Sequence, residues 1–198
     1  DMQKVNTGET TEEDLLVLSD ALLTLSDSKM YIDDSGNLSV ADIRSRCRRQ
    51  QTRYGLDLVV IDYLGLLQLG NKRGSLVADI AEATRALKIL AKELQVPIML
   101  LCQLSRGSES RKENGYRPIL ADLRDSGAIE QDADMVLLLY RKALAMRNRK
   151  DDSEYGGAPA EEIEDNTAEV IVAKNRNGPL KTVNLAFQGM FSRFVNPS

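Results

Sequence analysis

Hydrophobic positions change period along the chain, and the changes mark out its elements. Leu15, Leu16, Leu18, Ala21, Leu22 and Leu25 recur at helical spacing, which predicts a helix from about Thr11 to Leu25. Thr10 is its expected N-cap, with Glu13 completing a capping box, and the residues just after Asp1 carry no structural signal. After a short apolar run, Lys29 to Ile32, the cluster Asp33, Asp34, Ser35, Gly36 and Asn37 reads as a turn. Ser39 then caps a second helix that turns Val40, Ile43 and Cys47 inward and Arg44, Arg46, Arg48, Arg49 and Arg53 outward.

The next segment, Leu56 to Asp62, is almost continuously apolar and β-branched, as expected of a strand buried on both faces of a parallel sheet. From Ser75 to Gln95, Leu76, Val77, Ile80, Ala83, Leu87, Leu90, Ala91 and Leu94 give the most sustained helical pattern in the chain. Val96 to Cys102 is a second buried strand that ends at Gln103, and Met135 to Tyr140 is a third. Strand, helix and strand in alternation predict right-handed crossovers and an α/β fold with a doubly wound, mainly parallel sheet. Ligands of such sheets bind beyond the carboxyl ends of the strands, where Asp62 and Gln103 fall.

Beyond the third strand the pattern breaks. Arg141, Lys142, Arg147, Arg149 and Lys150 come without an acid, and Asp151 to Asp165 then carries seven acids without a base. A mobile surface loop is expected over residues 143–166. Ala168 to Ala173 and Leu180 to Phe187 read as a hairpin whose basic tip holds Lys174 and Arg176, and Phe191 to Val195 as a last short strand.

Composition narrows the chemistry. In 198 residues there are 26 Lys and Arg, 30 Asp and Glu and no histidine, for a net charge of −4. Without histidine, Ser-His-Asp and Cys-His catalysis are excluded, so chemistry must run on carboxylates, Lys, Arg and backbone amides. Two cysteines, Cys47 and Cys102, cannot form a four-ligand zinc site and lack disulfide-like spacing. No stretch reads as a membrane span or a signal peptide, so a reducing, cytoplasmic setting without membrane contact is expected.

Three groups can carry function. Asp62 closes its strand in the manner of a Walker B aspartate, which holds Mg²⁺ while the metal bridges nucleotide phosphates. An aspartate there also serves simply to cap the following turn, and the residue alone does not separate the two roles. Gln103 is placed to hydrogen-bond a γ-phosphate, or to stand as an ordinary polar residue at a strand end. Lys174 and Arg176, two apart, face the same side if strand geometry continues, which suits phosphate recognition as well as it suits a solvated turn.

Longer stretches carry a resemblance. LDLVVIDYLGLL, IAEATRALKILAKELQVPIMLLCQLSR, RPILADLRDSGAIEQDADMVLLLYR and VAKNRNGPLKTVNLAF resemble successive motifs of the replicative DNA helicases of the bacterial and phage DnaB type. The opening NTGE and YIDDSGNLSVADIRSRCRR resemble the corresponding part of that family's ATPase domain, so the likeness covers nearly the whole chain. It implies a RecA-like ATPase core that assembles into a homo-hexameric ring, binds ATP with Mg²⁺ and moves along single-stranded DNA. For the full-length protein it also implies a primase and a helicase loader as partners.

Residue by residue, the resemblance matches Asp62 to the Walker B aspartate and Gln103 to the phosphate-sensing glutamine. Lys174 and Arg176 match the basic pair that reaches the neighbouring subunit's γ-phosphate, Arg176 being the arginine finger. Arg124, Asp125, Ser126 and Gly127 match the loop that lines the channel and holds the DNA backbone, and Lys72 and Arg73 fall where a second channel loop is expected. Gly65 stands where the family pattern has a polar residue, and Cys102 where it has a small one.

One family motif is missing: no G-x-x-x-x-G-K-[ST] occurs, and the dipeptide Gly-Lys is absent. In the family, the phosphate loop and the water-activating glutamate precede the segment that opens this chain. All 198 residues therefore read as the downstream part of one RecA-like ATPase domain, expected to be inactive by itself. Two other readings stand beside a ring helicase: a truncated, ATPase-inactive assembly module, and another RecA-like ATPase such as a recombinase or a circadian-clock type ATPase. The stretch DLRDSGAIEQDAD argues against the last.

Overall fold

Local signals set the helical ends, beginning with Thr11. The computed structural model describes residues 2–69, 75–105, 116–123, 127–147 and 166–197. A short helix, α1 (Met2–Thr7), occupies the opening, where the sequence carries no structural signal. The cap of α2 (Glu12–Ser26) is Thr11 rather than Thr10: its hydroxyl accepts from Asp14 N–H at 3.2 Å, and the Asp14 carboxylate accepts from Thr11 N–H at 3.0 Å. Both adjacent threonines have an acid three residues on, so sequence alone offers two equivalent boxes. No residue of α2 is buried, and Leu16, Leu22 and Leu23 stay exposed among the described residues.

Ser39 caps α3 (Val40–Tyr54) through the same reciprocal box, with Asp42. Strand β1 (Val59–Ile61) follows, then a 3-10 turn (Leu64–Leu66), α4 (Leu76–Leu94) and β2 (Ile98–Leu100). β1 and β2 pair in parallel, Val59 opposite Ile98 and Ile61 opposite Leu100. Ile43, Ile61, Leu87, Leu90, Leu94 and Val96 form one apolar cluster, in which Leu90 is 2% exposed. Burying a Leu or Ile side chain is worth about 1.5–3 kcal/mol, so this cluster fixes α3 and α4 against the sheet. Ile80, one end of α4, joins a second cluster with Leu64, Leu123, Ile129, Val136 and Leu138. Cys47 and Cys102 are free thiols that pack against these clusters, and partial burial raises the pKa of each.

The expectation of strands buried on both faces is corrected here. Val60 and Met99 are 54% and 49% exposed, so only one face of β1 and β2 is covered by described elements. A mainly parallel sheet is corrected as well. After a 3-10 turn (Leu120–Asp122) and α5 (Gly127–Asp132), β3 (Met135–Tyr140) pairs antiparallel with β4 (Thr167–Asn175). β5 (Lys181–Gln188) and β6 (Arg193–Val195) complete a four-stranded antiparallel sheet, beside the two-stranded parallel one. An apolar run such as Met135–Tyr140 reads alike in either orientation, but its alternating burial marks a strand covered on one face.

Part of the expected loop over 143–166 is helical: α6 (Lys142–Arg147) continues directly from β3. Residues 148–165 lie outside the described residues. The expected strand over Phe191 to Val195 divides into a 3-10 turn (Gly189–Phe191) and the shorter β6.

Candidate functional site

The parallel pairing of β1 and β2 delivers Asp62 and Gln103 to the same end of the sheet. Asp62 follows the last residue of β1, and Gln103 stands three residues beyond β2; both are exposed. Backbone bonds continue past the paired strands, Leu101 N–H to Ile61 O at 3.0 Å and Leu64 N–H to Leu101 O at 2.9 Å. These hold the two strand ends side by side. The Asp62–Tyr63 peptide bond is cis. In the turn that follows, a Cβ at Gly65 would lie 2.5 Å from the Tyr63 ring, so a larger residue there would require that ring to shift.

Asp62 offers a metal one carboxylate. Among the described residues no three His, Cys, Asp or Glu side chains gather into a metal site. A hard cation held by one exposed carboxylate takes its remaining ligands from water and phosphate oxygens, the usual arrangement for Mg²⁺ carried with a nucleotide. The donor set therefore fits a nucleotide-borne Mg²⁺ and does not fit a dedicated all-protein cage.

Just past Gln103, Leu104 bridges Leu123, and Ser105 N–H donates to Asp122 O at 2.7 Å. Asp122 is 2% exposed and accepts from Ile119 N–H at 2.8 Å. The strand end that carries Gln103 is thus tied to the backbone leading toward α5. Of the channel-loop candidates, Gly127 opens α5, whereas Arg124, Asp125 and Ser126 lie outside the described residues, as do Lys72 and Arg73.

Lys174 and Arg176 occupy the other sheet. Lys174 belongs to β4, opposite Val136, rather than to the hairpin tip. Arg176 continues the ladder by one rung, its N–H donating to Asp134 O at 2.9 Å. The turn beyond is built by Asn175, whose side-chain oxygen accepts from Asn177 N–H at 3.1 Å, and by Gly178, where a Cβ would lie 2.8 Å from the Asn175 amide. Both cationic side chains reach one helix end: Lys174 Nζ donates to Glu130 O and Arg176 Nη2 to Gln131 O. These carbonyls belong to the last turn of α5, which has no partners of its own inside the helix. Arg176 Nη1 lies 3.5 Å from Asp134 Oδ1.

The acids of the run IEQDAD carry no assigned role in the sequence, and the structure gives two of them partners on α4. Asp132 accepts from Thr84 at 2.8 Å, and Asp134 accepts from Lys88. The Lys88 ammonium, with Arg176 and Lys92 behind it, holds the Asp134 carboxyl below the ordinary carboxylate range. Lys88 and Asp134 are 46 residues apart, and no local pattern announces such a pair. Among the described residues, no hydrogen bond or ion pair joins Lys174 or Arg176 to Asp62 or Gln103. The cations and the strand-end pair are therefore separate within one chain.

Comparison with known proteins addresses the arrangement as a whole. Residues 1–196 match the family described as the DnaB-like helicase C terminal domain. The chain is 44% identical over 195 residues to the replicative DNA helicase DnaB of Leifsonia xyli subsp. xyli (strain CTCB07), covering 98% of this chain and 39% of that protein. It is also 44% identical over 195 residues to the replicative DNA helicase DnaC of Bacillus subtilis (strain 168), covering 98% of this chain and 40% of that one. Among solved structures, one described as an ATPase domain superposes with a TM-score of 0.81 at 38% identity, over 99% of this chain and 65% of that one. A DnaB-like replicative helicase studied for its interactions with primase superposes with a TM-score of 0.80 at 38% identity, over 99% and 45%. The chain thus spans about two-fifths of the length of the curated relatives it matches. By its family match, its identity to these helicases and its fold, the chain belongs to the DnaB-like helicase C-terminal domain family.

Proposed function

We propose that this chain forms the downstream part of a RecA-like ATPase domain in a ring-shaped replicative helicase, which couples ATP hydrolysis to movement on single-stranded DNA and to duplex unwinding. Asp62 holds the nucleotide's Mg²⁺ through water, and Gln103 contacts the γ-phosphate. Lys174 and Arg176 act on the nucleotide of the adjacent subunit, where a cation stabilises charge that develops during phosphoryl transfer. Arg124, Asp125, Ser126 and Gly127, with Lys72 and Arg73, line the channel and grip the DNA backbone through cations and amides. A negative net charge is compatible with this, because the positive field need only line the channel.

One observation carries the reading: the basic pair, Arg176 exposed and Lys174 half-buried, sits on a different sheet from the strand-end pair and shares no hydrogen bond or ion pair with it among the described residues. A head-to-tail ring repeats one interface, so the cations of each subunit can complete the site of the next. The homo-hexamer, the helicase loader and a primase partner belong to this proposal, and a solved relative was studied with primase. Among the described residues no helix is long and apolar enough to cross a membrane, and the proposed work on DNA is cytoplasmic.

The test is ATPase activity. DNA-stimulated turnover by the full-length helicase carrying this segment should be lost in Asp62→Asn. This chain by itself, which has no phosphate-loop motif, should show no turnover. DNA-stimulated turnover by the isolated chain would refute the assignment of the phosphate cradle to another part of the protein. It would favour a self-contained site instead.

A further inference from the structure

Arg176 is held at three points, and two of them belong to Asp134. Its backbone N–H donates to Asp134 O at 2.9 Å, which fixes the position of its Cα on the end of β3. Its guanidinium lies 3.5 Å from Asp134 Oδ1 and donates to Gln131 O. The second carboxylate oxygen of Asp134 is taken by Lys88. Lys88 stands on α4 between Leu87 and Leu90, which are 4% and 2% exposed, so its backbone is anchored in the core. Through Lys88, the carboxylate of Asp134 has a fixed orientation.

This division of the carboxylate matters for an arginine. A free carboxylate captures a guanidinium in a two-point fork, which is tight and geometrically fixed. Here Oδ2 accepts from Lys88, and Oδ1 meets Arg176 in a single, loose contact of 3.5 Å. The carbonyl of Gln131 is a neutral acceptor, and hydrogen bonds to it are weaker than those to a phosphate oxygen. Arg176 is consequently located but not sequestered. Its side chain is 48% exposed.

We propose that Asp134, oriented by Lys88, is a positioning residue that holds Arg176 in register for the nucleotide phosphate of the adjacent subunit while leaving its guanidinium free to transfer. This rests on the trans-acting role given to Arg176 above. Asp134 touches no substrate; it acts through the arginine. Lys174 shares the arrangement, since its ammonium is held by the neighbouring carbonyl of Glu130.

The experiment uses the full-length ring helicase that carries this segment, with DNA-stimulated ATPase as the readout. Misplacement of a catalytic group by about 1 Å costs on the order of a hundredfold. Asp134→Asn should therefore lower kcat by about tenfold to a hundredfold, with KM for ATP within about twofold of wild type. Asp134→Glu should recover part of the loss. In Arg176→Ala/Asp134→Asn, turnover should equal that of Arg176→Ala, because a positioning residue has nothing left to position. Lys88→Met retains the carboxylate but frees it to fork onto Arg176, and it should lower kcat in the same way. This second variant decides the matter should Asp134→Asn fail to fold.

Wild-type kcat in both Asp134→Asn and Lys88→Met would overturn the inference. So would a double variant slower than Arg176→Ala by the full Asp134→Asn factor, since Asp134 would then act independently of the arginine. Wild-type turnover in Arg176→Ala is a different failure: it removes the finger assignment itself, and the positioning role falls with it.

Discussion

Replacing Arg176 by alanine removes one exposed cation, and the structure sets how little that should disturb the fold. The pair with Asp134 spans 3.5 Å between side chains that are 48% and 53% exposed, an arrangement worth at most about 1 kcal/mol. The hydrogen bond to Gln131 O adds on the order of 1 kcal/mol. The loss of stability is thus about 1–2 kcal/mol, which lowers Tm by only a few degrees in a domain of this size, roughly 2–4 °C per kcal/mol. A finger acting in trans on a γ-phosphate contributes on the order of 10³ or more in turnover, equivalent to about 4 kcal/mol of barrier. The catalytic effect therefore exceeds the structural one by a wide margin. Steady-state ATPase of the full-length helicase, with and without single-stranded DNA, measures the first quantity, and thermal denaturation of the same preparation measures the second. Turnover should nearly vanish while Tm falls by a few degrees and nucleotide affinity largely persists. Wild-type turnover at saturating ATP would reduce Arg176 to a solvated residue beside the turn and Lys174 to a structural cation of β4.

Arg124→Ala in the full-length protein should weaken single-strand binding uniformly across sequences and reduce the salt slope of log Kd by about one unit, measured by fluorescence anisotropy at several salt concentrations; an unchanged slope would remove Arg124 from the DNA contact. Leu90→Ala, at a residue 2% exposed between α4 and the parallel sheet, should cost about 2–5 kcal/mol in denaturant unfolding, and a loss below about 1 kcal/mol would contradict the core described here. Arg46, with Ser35, pulls the Asp33 carboxyl down to about 2. Because the folded value is lowered, the tie between this turn and α3 is complete above the ordinary carboxylate pKa and is lost as pH falls toward about 2. An NMR titration of Asp33 should show this depression in wild type and its relief in Arg46→Gln; an ordinary midpoint in wild type would refute it.

The sequence disclosed elements whose signals are local. Ser39 and Asp42 form a box within one turn of helix, and the apolar spacing of α4 persists over 19 residues, so both were legible. The hairpin was legible too, from its alternation on either side of Asn177 and Gly178. Thr11 was not separable from Thr10, because each has an acid three residues later and only the backbone selects between them. The apolar runs at β1 and β2 announced strands but not what would cover each face, and Val60 and Met99 remain open on one side. α6 was missed because six residues, KALAMR, span too few turns for a helical period to register. At the candidate site, Asp62, Gln103, Lys174 and Arg176 stood out because strand ends and turns concentrate chemistry. Asp134 did not, since its meaning depends on Lys88, which sits on a helix far away in sequence, and on the carbonyls at the end of α5.

The central claim is that each nucleotide site is shared between two subunits, with Lys174 and Arg176 supplied by the neighbour. Mixed rings test it most directly. Protomers of the full-length helicase carrying Arg176→Ala are combined with protomers whose phosphate-loop lysine has been replaced, each preparation being inactive alone, and ATPase is measured across mixing ratios. Subunit exchange is verified by energy transfer between labelled protomers. Where a wild-type Arg176 from one protomer faces an intact phosphate loop on the other, a complete site is rebuilt, and turnover should rise to a maximum at intermediate ratios. Rings that mix but show no turnover at any ratio would contradict the shared site and place Arg176 within its own subunit's chemistry or outside the chemistry altogether.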